Sequence, residues 1–337
     1  MKRLLYIGNN VNNKRSNVST IQTLSALLQQ EGYTVYLSSS SNSKVLRMMG
    51  MLFNFFQRFK TVDVILIDTY STLNFNYAFI MSQLARIFRV PYIPSLNGGN
   101  LPHRLKRSPL MSKMIFSNAA VNITPSIYLL EAFKSHGYHN ITYIPNTIVL
   151  DKYHYQFKAI STIQLLWVRS FSSIYNPQMA VSVLHALQQQ GNQASLTMVG
   201  PDADGSLKEV KQLAEQLGVT VNFTGKLPKP QWHALAKQHN VFINTTHFDN
   251  MPVSVIEAMA LGLPVVSTGV GGMPYLVKDG VDGLLVPDGD VKAMVAGILK
   301  LKEDPELAQN ISAAARVKAE GFDWNVVREK WIKVLSS

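Results

Sequence analysis

The sequence predicts an α/β protein made of two doubly wound, Rossmann-like halves. Three observations support this. Short apolar runs alternate with amphipathic helical stretches, and strands that alternate with helices pair in parallel. The alternation runs to about residue 144 and restarts after Asp151. The chain has 337 residues, more than one core usually holds.

Taken in order, residues 2–7 read as a buried first strand, and the polar residues 8–19 as the loop after it. Ile21, Leu24, Leu27 and Leu28 recur at helical spacing up to about Gln30, with Gly32 just past the end. Strands follow at 34–37, 62–67, 91–94, 122–124 and 142–144, with a helix near 78–88. In the second half, 164–168, 195–199, 220–223 and 241–244 read as strands. Residues 177–189, 207–217 and 230–238 read as the helices between them. Glu257 is expected at a loop-to-helix junction, opening a small-residue helix that ends at Gly262. A buried strand, two glycines and a tight turn complete this stretch. Trp324, Val327, Trp331 and Leu335 share a helical face in 322–335. That last helix either returns to the first domain or packs on the second. The expected domains are 1–147, joined by 322–337, and 148–321.

The charge is segregated. Residues 1–150 carry 15 Lys and Arg against 4 Asp and Glu, and residues 151–337 carry 17 of each. The whole excess of +11 lies in the first half, which should face an anionic membrane, a phosphorylated acceptor or nucleic acid. There is no cysteine, which excludes disulfides and thiolate metal sites. No apolar run approaches the roughly 20 residues of a membrane span, and the apolar start is too short for a signal-peptide core. A cytoplasmic protein is expected, peripheral on the inner face of the cell membrane if the basic half docks there. Within 44–60, Val45, Met48, Met49, Leu52, Phe55, Phe56 and Phe59 share one helical face, with Arg47, Asn54, Gln57 and Arg58 on the other. Such a face fits either a membrane interface or a core.

The richest stretch is 246–290. Two carboxylates, Asp249 and Glu257, stand with seven residues between them. A carboxylate can accept hydrogen bonds from two hydroxyls of a ribose. The alternatives are helix capping for Glu257 and an exposed loop acid for Asp249. Between them lie Met251, Pro252, Val253 and Ser254. Pro252 has no N–H to give, so the amides of Val253 and Ser254 at the helix start are the better anion donors. Arg169 ends a strand, where its guanidinium can neutralise a diphosphate or serve as a plain surface charge. Gly200 and Gly225 each close a strand, and loops after parallel strands form ligand crevices. Two Asp-x-Asp triplets, at 202–204 and 288–290, sit among Gly and Pro and read as turns. No histidines have ligand spacing, and no metal site is expected.

In motif order and spacing these residues resemble the donor site of family-4 retaining glycosyltransferases, which have the GT-B architecture: two Rossmann-like domains facing across a cleft. The resemblance implies a UDP- or GDP-hexose donor, no cofactor, no metal, and a glycan or lipid-linked acceptor in polysaccharide or lipopolysaccharide assembly. Glu257 would hold the ribose. Asp249, where the family has Glu, would contact sugar hydroxyls or the developing positive charge. Met251, Pro252, Val253 and Ser254 would turn backbone towards the donor, and Arg169 would hold the diphosphate. Where the family has a Lys five residues on, this chain has Ile174, with Lys14 and Arg15 as substitutes. Lys226 and Leu227 match the segment that reads the base, and Gly200 lines the crevice. Arg15-Ser16 stands where the family has Gly-Gly, placing Ser16 beside the donor. Ile144-Pro145-Asn146 matches the family's linker, although Thr147 replaces the glycine after it. Asn97-Gly98 replaces a His-Gly pair, and His103 and Arg104, on a mobile cationic loop, would face the acceptor. A sugar-nucleotide epimerase or hydrolase of the same fold is the nearest rival. A basic nucleic-acid-binding protein is the rival from another class. No RNA-binding aromatic signature is present, so nucleic acid is not expected as a partner.

Overall fold

A computed structural model describes residues 2–10, 19–38 and 40–336. The chain divides into two compact units, Met1–Pro145 with Val327–Ser337, and Asn146–Val326.

The first unit holds β1 (Arg3–Ile7), α1 (Thr20–Gln30), β2 (Thr34–Leu37), α2 (Lys44–Arg58), β3 (Val64–Thr69) and α3 (Asn74–Ile87). It continues with β4 (Tyr92–Leu96), α4 (Leu101–Arg107), α5 (Pro109–Phe116), β5 (Asn122–Thr124), α6 (Ile127–Ser135) and β6 (Ile141–Tyr143). Its six strands run parallel in the order β2-β1-β3-β4-β5-β6. β3 is buried along its whole length, which is why it reads as a continuous apolar run rather than an alternating one.

The second unit holds β7 (Ile163–Val168), α7 (Pro177–Gln189), β8 (Ala194–Val199), α8 (Ser206–Gln216), β9 (Val221–Gly225), α9 (Lys229–Ala236) and β10 (Val241–Asn244). Then come α10 (Val253–Leu261), β11 (Val265–Thr268), α11 (Met273–Leu276), β12 (Leu284–Val286), α12 (Val291–Glu303) and α13 (Pro305–Glu320). The strand order is β12-β11-β10-β7-β8-β9, again all parallel. Trp167, Leu165, Ile243 and Val266 pack with Met179, Val183 and Leu187 of α7 in one cluster. Each side chain fully buried in this way contributes about 1.5–3 kcal/mol. The last helix, α14 (Trp324–Ser336), starts in the second unit, where the Trp324 amide donates to Ile148 O (2.8 Å). From Val327 on it belongs to the first, where Arg328 pairs with Glu31 (3.5 Å) and Lys330 lies over the Tyr143 ring.

Three sequence expectations need correction. The stretch around His103 is the helix α4, not a mobile loop. Pro102 sits in its first turn, where a missing N–H costs nothing, and Leu101 and Leu105, four apart, are both buried. Glu257 does not open a helix. Pro252 precedes α10, which starts at Val253, so Glu257 lies one turn inside it. In α2 the apolar residues do not share one face: some are buried and others exposed. Met51 and Phe55 are buried, with Phe55 among the rings of Phe59 and Phe88, whereas Val45, Leu46, Met49, Phe53 and Phe56 are exposed.

Candidate functional site: the carboxyl ends of β7 and β10

In the second sheet the strand order reverses between β7 and β10, and an open parallel sheet binds ligands outside the carboxyl ends of its strands at such a point. Arg169 follows β7 and the loop 245–252 follows β10, so the topology brings Arg169 and Asp249 together although 80 residues separate them. They form an ion pair with both side chains largely buried (12% and 15% exposed). The guanidinium also reaches Asn244 Oδ1 (3.4 Å) and lies over the Tyr175 ring, 4.6 Å from its centroid. Burial lowers the Arg169 pKa and Tyr175 raises it, and the group stays a cation at any working pH.

The acidic loop is fixed from behind. Thr245 Oγ1 donates towards the carbonyls of Tyr175 and Asn176 (2.9 Å each) and accepts from Trp167 Nε1 (3.1 Å). Thr246 Oγ1 donates to Phe248 O (2.8 Å), and Thr268 Oγ1 donates to Thr246 O (2.6 Å). Gly271 and Gly272 pack so tightly on the carbonyls of Asp249 and Asn250 that neither position has room for a Cβ. Gly200 has φ +156° and lies against the Arg169 carbonyl, so it shapes the crevice wall by packing.

α10 is buried from Val255 to Leu261, and Glu257 is its one carboxylate. Glu257 is 4% exposed, and Oε1 accepts from Tyr153 Oη (2.6 Å) and pairs with Lys229 Nζ (2.7 Å). Burial first, and the neighbouring Glu257 second, push the Tyr153 pKa up, so Tyr153 remains a donor. His233 lies against the Tyr153 ring (4.4 Å), and burial lowers its pKa, which favours a neutral ring. At the start of α10 the Val255 amide bonds Pro252 O (3.2 Å), so the amides of Val253 and Ser254 precede the first turn's bonds and point out of the helix. Ser254 Oγ is buried and has no partner among the described residues. Met251 is buried, and its carbonyl accepts from Asn146 Nδ2 (2.7 Å). Leu227 packs on the cluster containing Met251 and Val255, and Lys226 is exposed.

Sequence reasoning missed Tyr153 and Lys229 and read Asn146 only as part of the linker; the partners of all three lie far along the chain. Ile174 is 43% exposed and supplies no charge. His103 belongs to the first unit, exposed on α4. Lys14, Arg15 and Ser16 lie outside the described residues. Both Asp triplets are in turns. Asp204 accepts from Ser172 Oγ (2.8 Å) and the Ser173 amide (2.9 Å), and Asp290 caps α12 through the Ala293 amide (2.9 Å).

Residues 158–318 match the family described as glycosyl transferases group 1, and the stretch contains Arg169, Asp249 and Glu257. The whole match lies within the second unit. Among sequence relatives, a D-inositol 3-phosphate glycosyltransferase of Streptomyces griseus is 31% identical over 130 residues, 37% of this chain and 28% of that protein. The amylovoran biosynthesis glycosyltransferase AmsK of Erwinia amylovora is 31% identical over 149 residues, 42% of this chain and 36% of that one. The chain thus spans only about a third of the length of these curated relatives. Among solved structures, sucrose-phosphate synthase of Thermosynechococcus elongatus superposes with a TM-score of 0.83 at 17% identity, covering 100% of this chain and 98% of that one. Anabaena Alr3699/HepE, solved with UDP-glucose, gives 0.81 at 18% identity with 100% of both chains covered. At these identities the likeness concerns the fold, which is GT-B.

Proposed function

We propose that the chain is a family-4 retaining glycosyltransferase that moves a hexose from a UDP- or GDP-sugar to a glycan or lipid-linked acceptor. The observation that carries this reading is the joining of Arg169 and Asp249 at the reversal point of the second sheet, within a glycosyl transferases group 1 stretch. Glu257 accepts the ribose hydroxyls. The diphosphate lies against Arg169 and the amides of Val253 and Ser254, with Ser254 Oγ as a further donor. As the anomeric C–O bond breaks, negative charge grows on the diphosphate and Arg169 stabilises it. The acceptor hydroxyl forms its bond to the anomeric carbon on the same face and passes its proton to the departing diphosphate. Asp249, paired with Arg169, is a fixed anion beside the carbon that becomes positive. The scheme uses no metal, since the Arg169 guanidinium and the N–H dipoles at the helix start supply its positive charge. Because the Anabaena structure holds UDP-glucose, that donor is the first to test.

The acceptor belongs to the first unit in this reading. That unit carries the basic excess and the exposed apolar residues of α2, so it docks reversibly on the anionic inner face of the cell membrane to reach a lipid-linked acceptor. No helix among the described residues is long and apolar enough to cross a membrane. Thermal-shift measurement with a panel of UDP- and GDP-sugars tests the donor site. At least one should raise the midpoint, and none doing so overturns the reading. Product formed without added acceptor would favour the epimerase or hydrolase.

A further inference from the structure

The first sheet reverses too, between β1 and β3, and there it holds a carboxylate that the donor chemistry does not use. Asp68 ends the apolar run of β3 and is 4% exposed. Its Oδ1 accepts from Tyr6 Oη (2.9 Å) and Asn97 Nδ2 (2.7 Å). Its Oδ2 is buried with no partner among the described residues. An unpaired buried carboxylate costs several kcal/mol, and sites that tolerate one commonly serve a ligand. Burial pushes the Asp68 pKa up to about 7, against the pull of the Tyr6 and Asn97 bonds.

The space before Oδ2 exists because residue 8 is glycine: a Cβ there would strike Oδ2. Gly8 and Asp68 line a hollow with Asn9, Tyr70, Asn74 and Tyr77, over an apolar floor that includes Met51 and Ala78. Amides, phenol rings and a carboxylate over apolar carbon suit a neutral polyhydroxylated ligand. A hydroxyl can donate to Oδ2, whereas an anion would be repelled by the ionised form. The hollow lies at the carboxyl ends of β1 and β3, where a doubly wound sheet takes its ligand.

We propose that Asp68 Oδ2 anchors one hydroxyl of a saccharide: the hollow has room for a single hydroxyl-sized group, and the sugar ring stays outside it. That this saccharide is the acceptor rests on the glycosyltransferase reading above. Anchoring itself does not.

The test uses the full chain carrying aspartate labelled with 13C at Cγ. D-glucose, D-galactose and N-acetylglucosamine are added in turn with UDP present, and the Asp68 resonance, assigned by its absence in Asp68→Asn, is followed. It should move saturably with at least one saccharide and stay still with UDP alone. A resonance that stays still through the panel overturns the proposal, since Oδ2 then serves only ordered water. Where transfer to the binding saccharide is measured, Asp68→Asn keeps the Oδ1 bonds but offers N–H in place of Oδ2. Gly8→Ala covers Oδ2 and keeps the carboxyl. Each should raise the acceptor KM by about 10- to 100-fold with the Kd for UDP unchanged. Acceptor KM values within about twofold of the parent in both variants would also overturn it. Failure of the glycosyltransferase reading appears separately, as no binding of any UDP- or GDP-sugar, because the resonance is scored without turnover.

Discussion

Two parallel sheets of six strands each reverse their strand order once, yet the carboxylates at the two reversal points are treated oppositely. In the second unit Asp249 meets Arg169 and Glu257 meets Lys229. In the first unit Asp68 has only the neutral partners Tyr6 and Asn97, although that unit holds the whole basic excess. Carboxylates that meet a cation suit a ligand that carries charge. An uncompensated one hovers between charge states and suits a neutral ligand. The total charge of a unit therefore says little about charge at its crevice, because surface lysines sit in water while a buried group answers to neighbours within a few ångströms.

The comparison breaks most sharply at Arg169. Arg169→Ala should lower kcat by about 100- to 1000-fold, with a smaller effect on donor affinity, because the charge on the leaving group peaks in the transition state. It should also cost about 3 kcal/mol of stability by leaving Asp249 unpaired. Adding Asp249→Asn should restore much of the melting temperature and none of the rate. Equal losses in kcat and donor binding would reduce Arg169 to ground-state binding. Next comes Glu257→Ala, expected to weaken UDP binding by about 10- to 100-fold in calorimetric titration. Unchanged affinity would remove the carboxylate from the ribose.

Asp68 sharpens the contrast through pH. Its folded pKa of about 7 lies above its ordinary 3.8, so the folded state holds the proton more tightly in between. Its contribution is fully present below about pH 4 and is lost as pH rises towards 7. Asp68→Asn cannot ionise. Between about pH 5 and pH 8 the melting temperature of the parent should fall relative to the variant by about 5 °C. Parallel pH profiles would show that the carboxyl is not strained by burial. The smallest effect concerns α2. Because Phe55 is core, the membrane test belongs to Phe53 and Phe56. Replacing both with Ser should remove the salt-resistant part of binding to anionic liposomes and leave the salt-sensitive part. No binding by the parent at low salt would end the membrane reading.

Much of this fold was legible because parallel strands buried on both faces announce themselves as apolar runs. Their order along the chain then carried Arg169 and Asp249 to one crevice. What escaped depends on distance or on competing periods. Tyr153 and Lys229 are ordinary surface-type residues until packing places them on Glu257. Seven-residue α4 is too short for a helical period to stand out against its run of basic side chains. In α2 apolar residues occupy both faces, so the pattern alone did not separate buried Phe55 from exposed Phe56. Of the helices that went unread, two start at a capping aspartate: Asp290 caps α12, and Asp304 before Pro305 caps α13 through the Leu307 amide (2.9 Å). Asp68 was visible as a lone carboxylate at the end of an apolar strand, but only the structure shows that one of its oxygens is left without a partner.

Glu257, which the proposed function places on the ribose, already has partners of its own. Glu257 spends its Oε1 on Tyr153 and Lys229 before any nucleotide arrives. On the proposed reading Oε2 is the oxygen left to accept the ribose hydroxyls. A ribonucleotide brings a vicinal pair of hydroxyls, and a deoxynucleotide brings one. With Oε1 engaged by Tyr153 and Lys229, the carboxylate is held so that Oε2 can take both hydroxyls, which favours ribonucleotide over deoxyribonucleotide donors on this reading. The Kd of 2′-deoxy-UDP should exceed that of UDP by about tenfold or more, and equal constants would place the selection elsewhere.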